Sequence, residues 1–210
     1  KKALAALAGA VKGYSVPAAW TATVTERMTE WEGMRAAALD PTVLFDQSTL
    51  GDSEPTDAIL TQAQLIGLMQ ETSREGDTII TAAGGPPGDL QKAWDATNGR
   101  HCHLEFGFSC MGYEIPAAMG VRWATPDTSK RVLSFVGDGT FVMAPTELVT
   151  ACQEHLRLTI VVAENHGYQV IRRLQMWRSG SHFGNEFRYR EGDSMVTEDG
   201  AGRLEGDYLD

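Results

Sequence analysis

The chain is short of positive charge, poor in cysteine and without any long apolar run. Lysine and arginine number 18 against 28 aspartates and glutamates, a formal net charge of −10. A surface for a nucleic-acid backbone needs clustered basic residues, so this balance argues against nucleic-acid binding. The pair Arg172-Arg173 is too small to change that and reads as a solvated helix face. The three cysteines, Cys102, Cys110 and Cys152, share no repeating spacing. That argues against a disulfide framework and points to a reducing cytoplasm. His101-Cys102-His103 carries metal-ligand side chains, but structural zinc draws on two separated ligand pairs and no second pair follows. No run reaches the roughly 18 apolar residues of a membrane span. Internal repeats are absent, as is a Gly-x-Gly-x-x-Gly after the first strand, which sets aside an ordinary dinucleotide-binding domain.

What is present fits one sizeable α/β domain, since 210 residues can bury a real core. The opening Lys1-Lys2-Ala3-Leu4-Ala5-Ala6 mimics the basic and apolar parts of a signal peptide, but it reads equally as ordinary helix. It is taken as the middle of a longer protein. Val16-Pro17 breaks one helix before another, and Thr25 to Leu39 keeps Met28, Trp31, Met34 and Ala38 at helical spacing. Gly51-Asp52-Ser53-Glu54-Pro55 reads as a loop. Residues 1–56 are therefore expected to be a partly helical interdomain connector, and 57–210 the main domain. Thr61 to Glu75 reads as an amphipathic helix. Thr78 to Ala83 reads as a buried strand, followed by Gly84-Gly85-Pro86-Pro87-Gly88 as a flexible glycine loop. Beyond Ile171 the pattern fades, and Ser179 to Asp210 is expected to be irregular.

The most informative stretch is Gly137-Asp138-Gly139-Thr140, followed 27 positions after Asp138 by Asn165 in Asn165-His166-Gly167-Tyr168. Arg131 to Val136 and Leu158 to Ala163 are near-continuous apolar runs, the signature of parallel strands covered on both faces. Between them Leu148, Val149, Cys152 and Leu156 recur at helical spacing, so the unit is βαβ with a right-handed crossover. Asp138 and Asn165 then follow two strand ends, the place where such sheets bind ligands. A carboxylate oxygen from Asp138, an amide oxygen from Asn165 and the Gly167 carbonyl are hard donors suited to Mg²⁺, which shares its shell with phosphate oxygens. Gly139 lets the backbone approach a diphosphate, and Thr140 offers an N–H and a hydroxyl. By residue type alone Met111 is core filler.

These residues resemble the cofactor fingerprint of thiamine diphosphate enzymes. Met111-Gly112-Tyr113-Glu114-Ile115-Pro116-Ala117-Ala118-Met119-Gly120 looks like the segment that precedes the metal motif in their acetolactate-synthase branch. A narrower likeness joins His103 to Glu114, Ala82 to Leu90, Asn165-His166-Gly167, Phe183 to Arg190 and Gly202 to Asp207 with the trihydroxycyclohexanedione hydrolase branch. Gly85-Pro86 departs from it, because Ser-Leu is expected there.

The resemblance implies an α/β fold, a parallel sheet flanked by helices, here truncated at its C-terminal side because only three strands are read. It implies thiamine diphosphate and Mg²⁺ as cofactors. Gly84, Gly85, Ser109, Met111, Gly137, Gly139, Thr140, Asn165, Gly167 and Tyr168 would line the cofactor, and Asp138, Asn165 and Gly167 would hold the metal. Met111 would be the wedge under the bent cofactor. The activating glutamate is expected in an N-terminal domain, normally of a partner subunit, so no catalytic residue is assigned here. Glu105 and Glu114 are local structural or substrate-side groups. The implied reaction is C–C bond hydrolysis of trihydroxycyclohexane-1,2-dione to 5-deoxy-glucuronate in myo-inositol degradation. The implied assembly is a cytoplasmic homodimer or homotetramer with the active site between subunits, off the membrane. The alternatives are an acetolactate synthase-like or 2-oxoacid decarboxylase enzyme, or a non-catalytic module that retained the fold.

Overall fold

The computed structural model describes residues 1–42 and 60–196, and the backbone of 208–209. The loop expected at Gly51 to Pro55, the domain boundary at 56/57 and the tail Gly202 to Asp207 lie outside the described residues.

Helices α1 (Lys2–Ala10) and α2 (Ala18–Leu39) bury no residue along their length. Pro17 separates them, as its missing N–H requires. Only the end of α2 docks: Arg35 donates to the Ala93 carbonyl at 2.9 Å, and Leu39 packs on the main core. Helix α3 (Gln62–Thr72) opens with a capping box, in which Thr61 and Gln64 each bond the other's backbone N–H.

Strand β1 (Thr78–Thr81), helix α4 (Gly85–Ala93), strand β2 (His101–Leu104), helix α5 (Glu114–Ala124) and strand β3 (Val132–Gly137) follow. Next come the single turn α6 (Asp138–Phe141), helix α7 (Glu147–Gln153), strand β4 (Thr159–Ala163) and helix α8 (Gln169–Ser179). Four parallel strands run in the order β2-β1-β3-β4. Alternation divides their side chains between two layers. Ile79, Leu133 and Phe135 face α3 and α4, where they meet Ile66, Met69 and Leu90. Ile80 and Val132 face Ala118 of α5, and Ile160 joins Ile115, Met119 and Ala151 of α5 and α7. The result is a sheet between two helical layers, as expected.

Four expectations are corrected. The sheet has four strands rather than three, because His101–Leu104 is the edge strand β2. Strand β4 is not covered on both faces: Thr159 and Val162 are exposed, since β4 is the opposite edge. Gly84 to Gly88 is not a flexible loop. Gly84 (φ 83) caps α4, and Pro86 and Pro87 sit in its first turn, where a missing N–H costs nothing. The stretch after Ile171 is more regular than expected: α8 runs on to Ser179, and β5 (Glu186–Phe187), β6 (Tyr189–Glu191), β7 (Ser194–Val196) and β8 (Tyr208–Leu209) follow. Strands β6 and β7 form an antiparallel pair, while β8 pairs with β5.

Candidate functional site

The strand order reverses between β1 and β3. The chain leaves β1 for β2 on one side and returns with β3 on the other. Such a switch point opens a crevice at the carboxyl ends of the two strands. Gly84 follows β1 and Asp138 follows β3, so both stand at its rim. The turn after β4 supplies Asn165 to Tyr168, and the segment after β2 supplies Phe106 to Met111.

One cleft of about 390 Å³ gathers Gly84, Gly85, Ser109, Met111, Gly137, Asp138, Gly139, Thr140, Asn165, Gly167 and Tyr168. Every position assigned to the cofactor or the metal from the sequence thus lines the same space, although they come from four separate strand ends. Sequence reasoning missed Phe106, Gln169, Val170 and Ile171, which also line it. The last three form the first turn of α8 directly after the Asn-x-Gly-Tyr motif, and that adjacency was the available signal.

Asp138 is 8% exposed. Its Oδ1 accepts the N–H of Gly139 at 2.7 Å. Its Oδ2 accepts those of Asn165 at 3.2 Å and Gly167 at 2.9 Å. The carboxylate thereby ties the β3 and β4 ends together. Among the described residues no cation pairs with it. Three N–H donors leave part of a carboxylate's four lone-pair directions free. The residues therefore fit a divalent cation held by a carboxylate, an exposed amide side chain at Asn165 and a glycine carbonyl. No cluster of three or more His, Cys, Asp or Glu able to cage a metal occurs among the described residues, His101-Cys102-His103 included.

The glycines have distinct causes. A Cβ on Gly139 would lie 2.6 Å from the Tyr168 ring, so the glycine admits that ring. Gly167, at φ 135, would press a Cβ onto the backbone of Asn185 and Glu186. Prolines lack an N–H, so Pro86 and Pro87 leave Gly85 as the main donor at the start of α4.

Glu105 and Glu114 both act locally. Glu105 accepts the N–H groups of Phe108 at 3.0 Å and Cys110 at 2.8 Å. These bonds hold its carboxyl below the usual value and close the turn that sets Ser109 at φ 53. Glu114 is fully buried and accepts the Ala83 N–H at 3.0 Å. Burial pushes its carboxyl up, against the pull of surrounding backbone N–H groups. Arg172 corrects the reading of a solvated basic pair: its Nε lies 2.7 Å from Oε1 of the buried Glu186.

Comparison with known proteins places the chain in a family. Residues 82–196 match the family model described as the thiamine pyrophosphate enzyme C-terminal TPP binding domain. The chain is 39% identical over 155 residues to 3D-(3,5/4)-trihydroxycyclohexane-1,2-dione hydrolase of Lacticaseibacillus casei, covering 73% of this chain and 24% of that protein. It is 35% identical over 215 residues to the protein of the same name from Bacillus cereus strain AH820, covering 96% and 32%. The chain thus spans at most about a third of the length of these curated relatives. Among solved structures, the Rhodococcus jostii RHA1 thiamine diphosphate-dependent 4-hydroxybenzoylformate decarboxylase shares the fold. Its TM-score is 0.55 at 22% identity, over 65% of this chain and 26% of that one.

Proposed function

This chain belongs to the thiamine pyrophosphate enzymes through their C-terminal cofactor-binding domain, and we propose from that membership that it forms the metal–diphosphate half of a C–C bond hydrolase. In this reading Asp138, Asn165 and the Gly167 carbonyl hold Mg²⁺. Gly137, Gly139 and Thr140 face the diphosphate, with Gly84 and Gly85 on the opposite wall. Ser109 and Met111 face the ring system, and Tyr168 closes over Gly139. The single observation that carries the reading is the Asp138 carboxylate. It is buried at the switch point, held by three backbone N–H groups, and without a cationic partner among the described residues.

Thiamine diphosphate, when bound, supplies a nucleophilic carbon and a sink for the electrons of the bond that breaks. The chain's own part is placement. Asp138 fixes the anchor, and the apolar Phe106, Met111, Val170 and Ile171 give the ring system an apolar wall. The activating carboxylate is read as coming from an N-terminal domain of a partner subunit, in a cytoplasmic homodimer or homotetramer. Residues 1–56 are read as an interdomain connector, and 57–210 as the metal–diphosphate domain. The names of the relatives support trihydroxycyclohexane-1,2-dione as substrate; its opening to 5-deoxy-glucuronate in myo-inositol degradation is part of the proposal.

The test uses the protein expressed from the complete reading frame that carries these residues. Titration calorimetry with thiamine diphosphate and Mg²⁺ should give binding for the wild type and none for Asp138→Ala. Equal binding by both removes the proposed site. Turnover of the cyclic dione but not pyruvate supports the hydrolase. The reverse supports an acetolactate synthase-like or decarboxylase activity, and turnover of neither supports a non-catalytic module.

A further inference from the structure

The turn from Asn165 to Tyr168 is gripped from two sides. On one side stands the Asp138 carboxylate. On the other, residues 185–187 lie along the turn as a short ladder. The Tyr168 N–H donates to the Asn185 carbonyl at 2.6 Å, and the Phe187 N–H donates to the His166 carbonyl at 2.8 Å. Gly167 and Glu186 form an antiparallel bridge between them. The Tyr168 and Phe187 rings meet edge to face at 5.7 Å. This close approach explains why position 167 is glycine.

Residues 185–187 are themselves held by helix α8. The Asn185 amide donates to Gln175 Oε1 at 2.6 Å and to the Phe183 carbonyl at 2.8 Å, while the Phe183 N–H donates to the same Gln175 oxygen at 2.8 Å. Glu186 is 1% exposed, with Arg172 Nε 2.7 Å from one carboxylate oxygen and His182 Nδ1 3.8 Å from the other. The Arg172 contact lacks the alignment of a hydrogen bond and acts as an ion pair. A buried carboxylate of this kind holds its place through its partner, since either charge left alone is strongly unfavourable. Helix α8 starts at Gln169, right after the turn. Turn, helix and ladder therefore close into one ring of contacts, with Glu186 and Arg172 at the joint.

We propose that Glu186 and Arg172 are positioning residues for the Asn165–Gly167 turn, setting where the Asn165 amide and the Gly167 carbonyl stand before any cofactor arrives. The proposal rests on the reading of that turn as the metal–diphosphate anchor. Neither residue lines the cleft; both act through the backbone of 185–187.

Two readouts on the complete protein separate this role from general stability. The first is amide hydrogen exchange at Tyr168 and Phe187 in cofactor-free protein. The second is calorimetric affinity for thiamine diphosphate at saturating Mg²⁺. Glu186→Gln should speed both amides about tenfold and weaken affinity about tenfold or more, the usual range for loss of a ligand-orienting contact. Gln175→Ala, which removes two bonds without uncovering a buried charge, should act in the same direction by about threefold and serves if Glu186→Gln does not fold. Ile66→Val, on the buried face of α3, should lower the melting temperature without changing either readout. Arg172→Met combined with Glu186→Gln should be no worse for affinity than the weaker single variant. Variants that lower the melting temperature while leaving exchange and affinity at wild-type values overturn the proposal. Faster exchange in a protein whose wild type binds no thiamine diphosphate instead overturns the anchor reading and leaves the coupling of ladder to turn supported.

Discussion

Two buried aspartates stand at opposite ends of the same sheet and are satisfied in opposite ways. Asp77, 1% exposed, lies just before β1. It accepts the N–H groups of Arg74 at 2.9 Å and Arg131 at 2.8 Å, and pairs with the Arg131 guanidinium at 2.7 Å. Asp138 lies just after β3 and accepts backbone N–H groups alone. Each carboxylate ties neighbouring strands together. Asp77 joins the starts of β1 and β3, and Asp138 joins the ends of β3 and β4. The difference is the cation. At the amino end of the sheet the charge is already neutralised within the chain, so the residue is structural. At the carboxyl end backbone N–H groups hold the carboxylate in place, and no cation among the described residues neutralises it. Burial alone therefore does not mark a site; Asp138 adds to burial the lack of a counter-charge among the described residues and a place on the cleft.

Exchanging each carboxylate for an amide breaks the comparison most directly. Asp138→Asn should weaken Mg²⁺-dependent binding of thiamine diphosphate on the order of a hundredfold or more, as loss of a desolvated charge pairing does. Asp77→Asn should leave binding intact and destabilise the fold by about 1–3 kcal/mol, the cost of leaving buried N–H donors short of an acceptor. Calorimetry and urea unfolding of both variants test this, and a loss of binding in Asp77→Asn would erase the distinction. A pH signature accompanies it. Burial would raise the Asp77 carboxyl, but the Arg131 and Arg74 N–H groups and the Arg131 guanidinium outweigh burial and hold it below 3.8. A folded value below the unfolded one contributes stability above the ordinary aspartate value, lost as pH falls through the folded value. Asp77→Asn should remove that part of the acid limb.

The glycines sharpen the contrast further. Gly167→Ala places a Cβ against backbone at a φ of 135, so nothing can rotate away. It should cost on the order of 1–3 kcal/mol in strain and reduce cofactor affinity, read by calorimetry. Gly139→Ala meets the Tyr168 ring at 2.6 Å, and a ring can turn aside. Its effect on stability should be the smaller of the two, and the reverse order would mean that residues 185–187 yield more easily than the ring.

Much of this was legible in the sequence because the informative residues sit at the ends of apolar runs. Arg131 to Val136 and Leu158 to Ala163 located two strands, and the residues that follow each had to share one end of the sheet. What escaped depends on partners distant in the chain. Strand β2 is His-Cys-His-Leu with an exposed, half-buried alternation, and only pairing with β1 makes it a strand. Gly84 to Gly88 has loop composition, yet Gly84 and two prolines suit a helix start once Leu90 and Ala93 find the core. The Glu186 partner of Arg172 is fourteen residues on, across a turn that no periodicity announces.

The smallest expected effect comes from Glu114, a third buried carboxyl that belongs to neither pattern. It meets no cation among the described residues, like Asp138, but lies behind the cleft wall rather than in it. Its bond to the Ala83 N–H ties the residue before Gly84 to the start of α5, just beyond Met111 and Gly112. Burial is the largest influence on its carboxyl and raises it above 4.5, while the N–H groups of Ala83, Glu114, Ala82 and Gly112 only oppose that rise. A folded value above the unfolded one contributes stability that is complete below the ordinary glutamic acid value and is lost as pH rises through the folded value. Glu114→Gln keeps an oxygen to accept the Ala83 N–H and cannot ionise. The stability of the wild type relative to this variant should therefore fall as pH rises from 4.5 towards neutrality, measured by urea unfolding at several pH values. Cofactor affinity should stay unchanged, because the wall between Gly84 and Met111 is held by the bond and not by the charge. A wild type that gains on the variant across that range would mean that the N–H groups stabilise the carboxylate more than burial opposes it, making Glu114 a second poised anion next to Asp138.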